Sequence, residues 1–268
     1  MIEPRIKVPE NIKPFLEIEN CSDFPLNRFF ITEQTQTILN DIISLKGVVE
    51  EMRSMGINYI NSTLLYGPSG TGKTTIGRYI AHMLNLDFIY INFAKIMDGA
   101  FGQTAKNICD VFEFIAGVEC VFMMDEIDGI TVRRSTESSF SGSEMSRITI
   151  TVMQELDYLK KCDSRSVILA ATNRKDIIDE ALLSRFAISY EVSPLNNADK
   201  QKYIRNFLDQ LNIPYNLKNI QEYCVRNSYV TNRNVESDMI RCIAQWIKEG
   251  KQENGYVLRH IGQKITST

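Results

Sequence analysis

At 268 residues the chain is long enough for one large domain, or one domain with a small satellite, and its 44% hydrophobic content excludes a disordered polymer. Thirty basic against 33 acidic residues give a net charge of −3, which supplies no broad cationic surface and weakens the case for nucleic acid as the main partner. No run approaches the ~18 apolar residues needed to cross a bilayer, and Glu3 with Pro4, Pro9 and Pro14 does not resemble a signal peptide, so a cytoplasmic protein without a membrane partner is expected.

In chain order, residues 1–30 read as an extended, loop-like arm, punctuated by proline and closed by Phe24-Pro25 and Phe29-Phe30. Thr32 can cap the helix that follows, whose apolar stripe is Ile38, Ile42, Leu45, Val49 and Met52, and Gly56 offers a left-handed stop. Strands are predicted at 62–66, 88–92, 120–125, 167–172 and 188–192. Helices are predicted between them at 73–84, 104–115, 144–159 and 180–183. Apolar strands alternating with helices argue for an α/β fold with a parallel sheet covered on both faces. After Pro194 the strand-like runs cease, and 197–211, 217–227 and 233–248 read as three helices. The division expected is therefore an arm at 1–30, an α/β core at 31–195, and a helical segment and tail at 196–268. Residues 131–143 are rich in Ser and Thr, carry Arg133-Arg134 and read as a loop. Six cysteines (Cys21, Cys109, Cys120, Cys162, Cys224 and Cys242) form no Cys-x-x-Cys pair, and His82 and His260 are the only histidines. Buried reduced thiols are thus expected rather than disulfides or zinc.

The stretch Gly67-Pro68-Ser69-Gly70-Thr71-Gly72-Lys73-Thr74-Thr75 fills the phosphate-loop pattern between a short apolar strand and a helix of the right periodicity. Strand, glycine loop and helix N-terminus make an anion cradle in which backbone N–H groups and the helix dipole favour negative charge. Lys73 is expected on the β- and γ-phosphates of a nucleoside triphosphate and the Thr74 hydroxyl on Mg²⁺. Val121-Phe122-Met123-Met124-Asp125-Glu126 is an apolar strand ending in two acids, where ligands of a parallel sheet bind. Asp125 is expected to hold Mg²⁺ through its waters, and Glu126 to act as general base toward the attacking water. Val167-Ile168-Leu169-Ala170-Ala171-Thr172-Asn173 ends the same way: the Asn173 amide can reach the γ-phosphate and that water, or close an Asx-turn.

The order of these motifs, followed by Asp179-Glu180-Ala181-Leu182-Leu183-Ser184-Arg185-Phe186, resembles the AAA+ ATPase family, in its single-module type, over roughly residues 30–248. The resemblance implies an αβα core whose five parallel strands run in the order 5-1-4-3-2, a helical lid, and a homo-oligomeric ring, usually hexameric, with nucleotide at subunit interfaces. It makes Arg185 an arginine finger completing a neighbour's site, with Arg174 or Arg147 as assistants; the alternative is a surface arginine closing a short helix. Arg233 is similar to the family's second sensor, or is an exposed arginine at a helix start. Ile31, with Phe30 and Ile57, is a candidate for adenine contact. The pore loop of remodelling members corresponds here to Ile96-Met97-Asp98-Gly99-Ala100-Phe101-Gly102-Gln103-Thr104, with its aromatic displaced by one position; Phe101 grips a polypeptide or packs under the next helix.

An ATP-hydrolysing ring that remodels a protein client, directly or through an adaptor, is the function this resemblance implies. A DNA-associated relative, such as a helicase loader, a clamp-loader-like subunit or a transposition regulator, is the alternative from another class, and would need a basic face around Arg133-Arg134. A nucleotide switch with little turnover is the third, and the presence of Asp125, Glu126 and Asn173 argues against it.

Overall fold

A computed structural model describes residues 3–26, 29–97, 103–130 and 140–251, the side chains of 140–145 excepted. The chain divides into two compact units. The first holds Met1–Phe24, Glu33–Gly67 and Lys73–Val192; the second holds Pro25–Thr32, Pro68–Gly72 and Ser193–Thr268.

The first unit is built on a six-stranded sheet. Its strands are β1 (Leu16–Asn20), β2 (Ser62–Tyr66), β3 (Asp87–Ile91), β4 (Val121–Met124), β5 (Val167–Thr172) and β6 (Ile188–Glu191), ordered β1-β3-β4-β5-β2-β6 across the sheet. The last five are parallel and stand in the order expected from the family resemblance. The difference is β1, which extends the sheet at the β3 edge in antiparallel register, Leu16 opposite Ile91 and Asn20 opposite Asp87. The segment read as a loop-like arm thus contributes a strand. Every residue of β4 and β5 is buried, because helices cover both faces of a parallel sheet, whereas β6 alternates at its open edge.

Helices α1 (Glu33–Ser54), α2 (Lys73–Leu84), α3 (Phe93–Met97), α4 (Gln103–Ala116), α5 (Phe140–Lys161) and α6 (Glu180–Leu183) complete this unit. Helix α1 buries Ile38, Leu39, Ile42 and Val49, and ends at Gly56, whose φ of 77° makes the left-handed stop its sequence predicts. Helix α2 approaches the sheet through Gly77: a Cβ there would lie 2.9 Å from the Phe88 ring and 3.3 Å from Leu169. Its outer flank is strapped by the segment around β1. Arg78 donates two hydrogen bonds to Glu19, at 2.7 and 2.8 Å, and its guanidinium sits 5.2 Å from the Phe88 ring centroid. The His82 Nδ1 lies 2.9 Å from the Cys21 carbonyl oxygen, and the rings of Phe24 and Tyr79 meet edge to face.

The second unit centres on α7 (Asn197–Gln210), α8 (Leu217–Arg226) and α9 (Asn232–Lys248), packed around Ile204, Leu208, Ile220, Tyr223, Val235 and Met239. Asn196 and Asn216 cap the first two helices by accepting from the Asp199 and Lys218 amides. Lys200 is fully buried; its ammonium donates to the Asn227 and Ser228 carbonyls, which satisfies both the charge and the chain just past α8. Phe30 packs into the same core, 6.0 Å from the Tyr203 ring. No described helix is long and apolar enough to cross a membrane.

Candidate active site

The phosphate loop begins where β2 ends. Gly67 has φ 144°, and a Cβ there would lie 2.4 Å from the Val192 carbonyl oxygen, so only glycine fits. Its N–H donates to the Thr172 carbonyl, 3.2 Å away, tying the loop to the end of β5. Within the second unit, the loop tip is held by the first residues of α9. The Gly70 carbonyl accepts from the Arg233 N–H (3.1 Å), and the Thr71 carbonyl accepts from the Asn232 side-chain amide (3.0 Å). A Cβ at Gly70 would meet the Thr231 hydroxyl at 2.9 Å. Thr71 is buried, with its hydroxyl on the Pro68 carbonyl, while Pro68 and Ser69 are exposed. Helix α2 then opens at Lys73 with no acid in its first turn, which leaves the positive end of its dipole to an external anion.

Lys73 is 6% exposed. A buried ammonium must be matched by acceptors, and Nζ donates to the Gly67 carbonyl at 2.7 Å and to Asn173 Oδ1 at 2.8 Å. The next residue, Thr74, donates from its hydroxyl to Asp125 Oδ2 at 2.5 Å. The sheet register brings these groups together: Tyr66 stands opposite Thr172, and Met124 opposite Ala170, so β2, β4 and β5 end side by side. Lys73, Thr74, Asp125 and Asn173 thus converge from two strand ends and one helix start. A hydroxyl and a carboxylate meeting beside an ammonium are hard oxygen donors of the kind Mg²⁺ takes, next to a cation that suits phosphate, so the residues fit a magnesium–triphosphate pair.

Glu126 is exposed and left-handed, at φ 51° and ψ 41°. For a residue with a Cβ this conformation costs about 1–2 kcal/mol and occurs chiefly where a site demands it. Neighbours hold it there. Its N–H donates to Asp125 Oδ1 at 2.9 Å, and its carbonyl accepts from the Gly129 N–H at 2.9 Å, closing the 3-10 turn Ile127–Gly129.

That turn carries a residue the sequence reading passed over. Asp128 Oδ1 accepts from the Thr172 hydroxyl at 2.7 Å and lies 3.4 Å from the Asn173 N–H. The Thr172 hydroxyl in turn accepts from the Arg174 N–H at 2.9 Å. The available signal was a third acid, two residues past Glu126, together with a hydroxyl immediately before Asn173.

The remaining candidates are placed as follows. Arg185 is half-buried beside α6, where it donates to the Ala181 carbonyl at 2.7 Å and to Asp157 of α5 at 3.3 Å. Arg174 pairs with Asp176 in an exposed position, and Arg147 is exposed. Arg233 is exposed at the start of α9, its backbone on Gly70 as described. Ile31 is half-buried next to Phe30 in the second unit, and Ile57 is 47% exposed after α1. Phe101, Arg133 and Arg134 lie outside the described residues.

The family model described as "ATPase family associated with various cellular activities (AAA)" matches residues 63–194. The chain is 35% identical over 153 residues to peroxisomal ATPase pex6 of Schizosaccharomyces pombe, a stretch covering 56% of this chain and 16% of that protein. It is 35% identical over 147 residues to 26S proteasome regulatory subunit 10B of Dictyostelium discoideum, covering 54% and 37%. The proteasome-activating nucleotidase of Pyrococcus furiosus is 30% identical over 195 residues, covering 67% and 49%. The matched stretch therefore spans less than half the length of each of these curated relatives. In fold, the chain is similar to one in the structure of the E. coli MS115-1 HORMA:CdnC:Trip13 complex, with a TM-score of 0.74 at 17% identity, covering 97% of this chain and 99% of that one. With its phosphate loop, paired strand-end acids, asparagine-tipped strand and matching sheet order, this chain belongs to the AAA+ ATPase family.

Proposed function

We propose that the chain is a magnesium-dependent ATP hydrolase that works in an oligomeric ring to remodel a protein or protein complex. The observation that carries the hydrolytic part is the convergence of Lys73, Thr74, Asp125 and Asn173 around one point, with Glu126 held beside it. The remodelling part is supported by similarity to a peroxisomal ATPase, a proteasome regulatory subunit and a proteasome-activating nucleotidase.

In this reading the loop 67–75 takes the triphosphate. Phosphate oxygens offer the Lys73 ammonium stronger, charge-assisted partners than the carbonyl and amide oxygens it holds here. Thr74 and Asp125 would hold the metal, which when bound would neutralise charge on the phosphates. Glu126 accepts the proton of the attacking water, and Asn173 orients that water through its side-chain amide. Arg185 acts on the site of a neighbouring protomer, and Arg233 serves the loop tip of its own chain, to whose Gly70 its backbone is bonded.

Phosphate release with Mg²⁺ and ATP, measured for the native chain and for Glu126→Gln, tests this. A general base contributes about 10²–10⁴ in rate, so the variant should retain ATP and lose turnover by that factor. Wild-type turnover in Glu126→Gln, or no magnesium-dependent turnover in the native chain across protein concentrations, would overturn the reading.

A further inference from the structure

We propose that Asp128 is a positioning residue for hydrolysis: its carboxylate sets the orientation of Asn173 while anchoring the turn that presents Glu126. The inference rests on the ATPase reading above and extends it to a residue with no place in that scheme.

Both groups assigned to the attacking water sit just past the ends of paired strands. Asn173 is the first residue past β5, beyond the last paired residue, Thr172. Glu126 follows β4 in a left-handed conformation that relaxes unless the turn after it is fixed. Asp128 meets both needs with one oxygen. Its Oδ1 accepts the Thr172 hydroxyl at 2.7 Å and faces the Asn173 N–H at 3.4 Å, while its own backbone lies in the turn closed by the bond from Gly129 N–H to the Glu126 carbonyl. Thr172, only 1% exposed, relays the tie further: its hydroxyl accepts from the Arg174 N–H, and its carbonyl accepts from the Gly67 N–H at the root of the phosphate loop. The end of β4, the end of β5 and the loop root are therefore one hydrogen-bonded assembly, with the Asp128–Thr172 bond linking its two water-facing halves.

The chemistry requires an acceptor at Oδ1 rather than a negative charge. Asparagine offers the same carbonyl oxygen in the same place, and alanine offers none. Misplacement of reacting groups by an ångström costs about 10²-fold in rate even when binding is unaffected, so the loss should fall on kcat.

The test is steady-state turnover together with equilibrium binding of a fluorescent ATP analogue, on the full chain, for Asp128→Ala, Asp128→Asn, Thr172→Val and the Asp128→Ala/Thr172→Val double variant. We expect Asp128→Ala to lower kcat by about 10- to 100-fold while affinity for the analogue stays within about threefold, and Asp128→Asn to recover most of the rate. Thr172→Val should also lower kcat at near-native affinity, and the loss in the double variant should fall well short of the product of the two single losses, because both remove the Asp128–Thr172 bond. A kcat for Asp128→Ala within twofold of the native value overturns the inference, as does a parallel fall of affinity and kcat that asparagine does not rescue. If the alanine variant does not fold, Thr172→Val decides: lost kcat with intact affinity supports the role, and unchanged kcat overturns it. A native chain without turnover would instead refute the ATPase reading itself.

Discussion

The Lys73 ammonium donates to the side-chain oxygen of Asn173, a hundred residues further along the chain, across 2.8 Å. The two form a pair in which the phosphate-loop cation is already registered against the strand end that faces solvent water. Lys73→Met would remove the charge and leave both the Gly67 carbonyl and Asn173 Oδ1 without their donor. ATP affinity should fall at least tenfold, since hydrogen bonds to charged groups contribute about 1.5–3 kcal/mol. Isothermal titration with a slowly hydrolysed ATP analogue would read it.

Arg185 reaches Asp157 and the Ala181 carbonyl of its own chain. If it completes a neighbour's site, turnover per protomer must climb with protein concentration, and Arg185→Ala must abolish that climb with a loss on the order of 10³-fold. A mixture sharpens the test. Arg185→Ala keeps an intact Glu126, and Glu126→Gln keeps an intact arginine, so mixing the two inactive proteins should restore measurable phosphate release. A mixture as inactive as its parts would assign Arg185 to its own chain.

The left-handed backbone at Glu126 makes this position a trade between stability and activity. Asparagine tolerates that conformation far better than glutamate. Glu126→Asn should therefore raise the melting temperature by about 2 °C, from roughly 1 kcal/mol of relieved strain, while turnover is lost. Calorimetry and phosphate release on the same sample would show both.

Thiol chemistry should single out one cysteine. Burial pushes the thiols of Cys120 and Cys242 up to about 12, and those of Cys21, Cys109 and Cys224 up to about 11, whereas Cys162 is exposed at the end of α5. Raised thiol values mean almost no thiolate at neutral pH, and the thiolate is the nucleophile. Iodoacetamide at pH 7.5 should modify Cys162 first, with the other five reacting only on unfolding, as peptide mass mapping would reveal.

Much of this molecule was legible because its signals are local. Strand β5 is buried throughout and reads as an apolar run closed by Thr172, β2 is a short segment centred on Leu64 and Leu65, and the bounds of both match the prediction residue for residue. Asp125 and Asn173 were legible because each follows an apolar strand, and Lys73 and Thr74 because they close a glycine loop of fixed spacing at a helix start. Strand β1 was not. Its alternating Leu16-Glu17-Ile18-Glu19-Asn20 is short, it lies among prolines, and the partner that makes it a strand, β3, is some seventy residues away. Asp128 was missed for a related reason: an acid just beyond a strand looks like a cap, and the hydroxyl it serves lies 44 positions later. No pattern of residue types encodes the dihedral angles of Glu126.

The bond between Glu19 and Arg78 lies on partly exposed side chains, and pairs of that kind contribute at most about 1 kcal/mol, with a similar amount from the guanidinium over Phe88. Glu19→Ala should accordingly lower the melting temperature by only a few degrees. The practical lesson concerns where a shorter version may be cut. Trimming to the first long helix would strip away Glu19, Cys21 and Phe24 together, baring a guanidinium, an imidazole and a phenol along the flank of the helix that bears Lys73. A recombinant fragment designed for crystals or binding assays should therefore keep everything from Leu16 onward, or it will carry a sticky seam beside its own nucleotide loop.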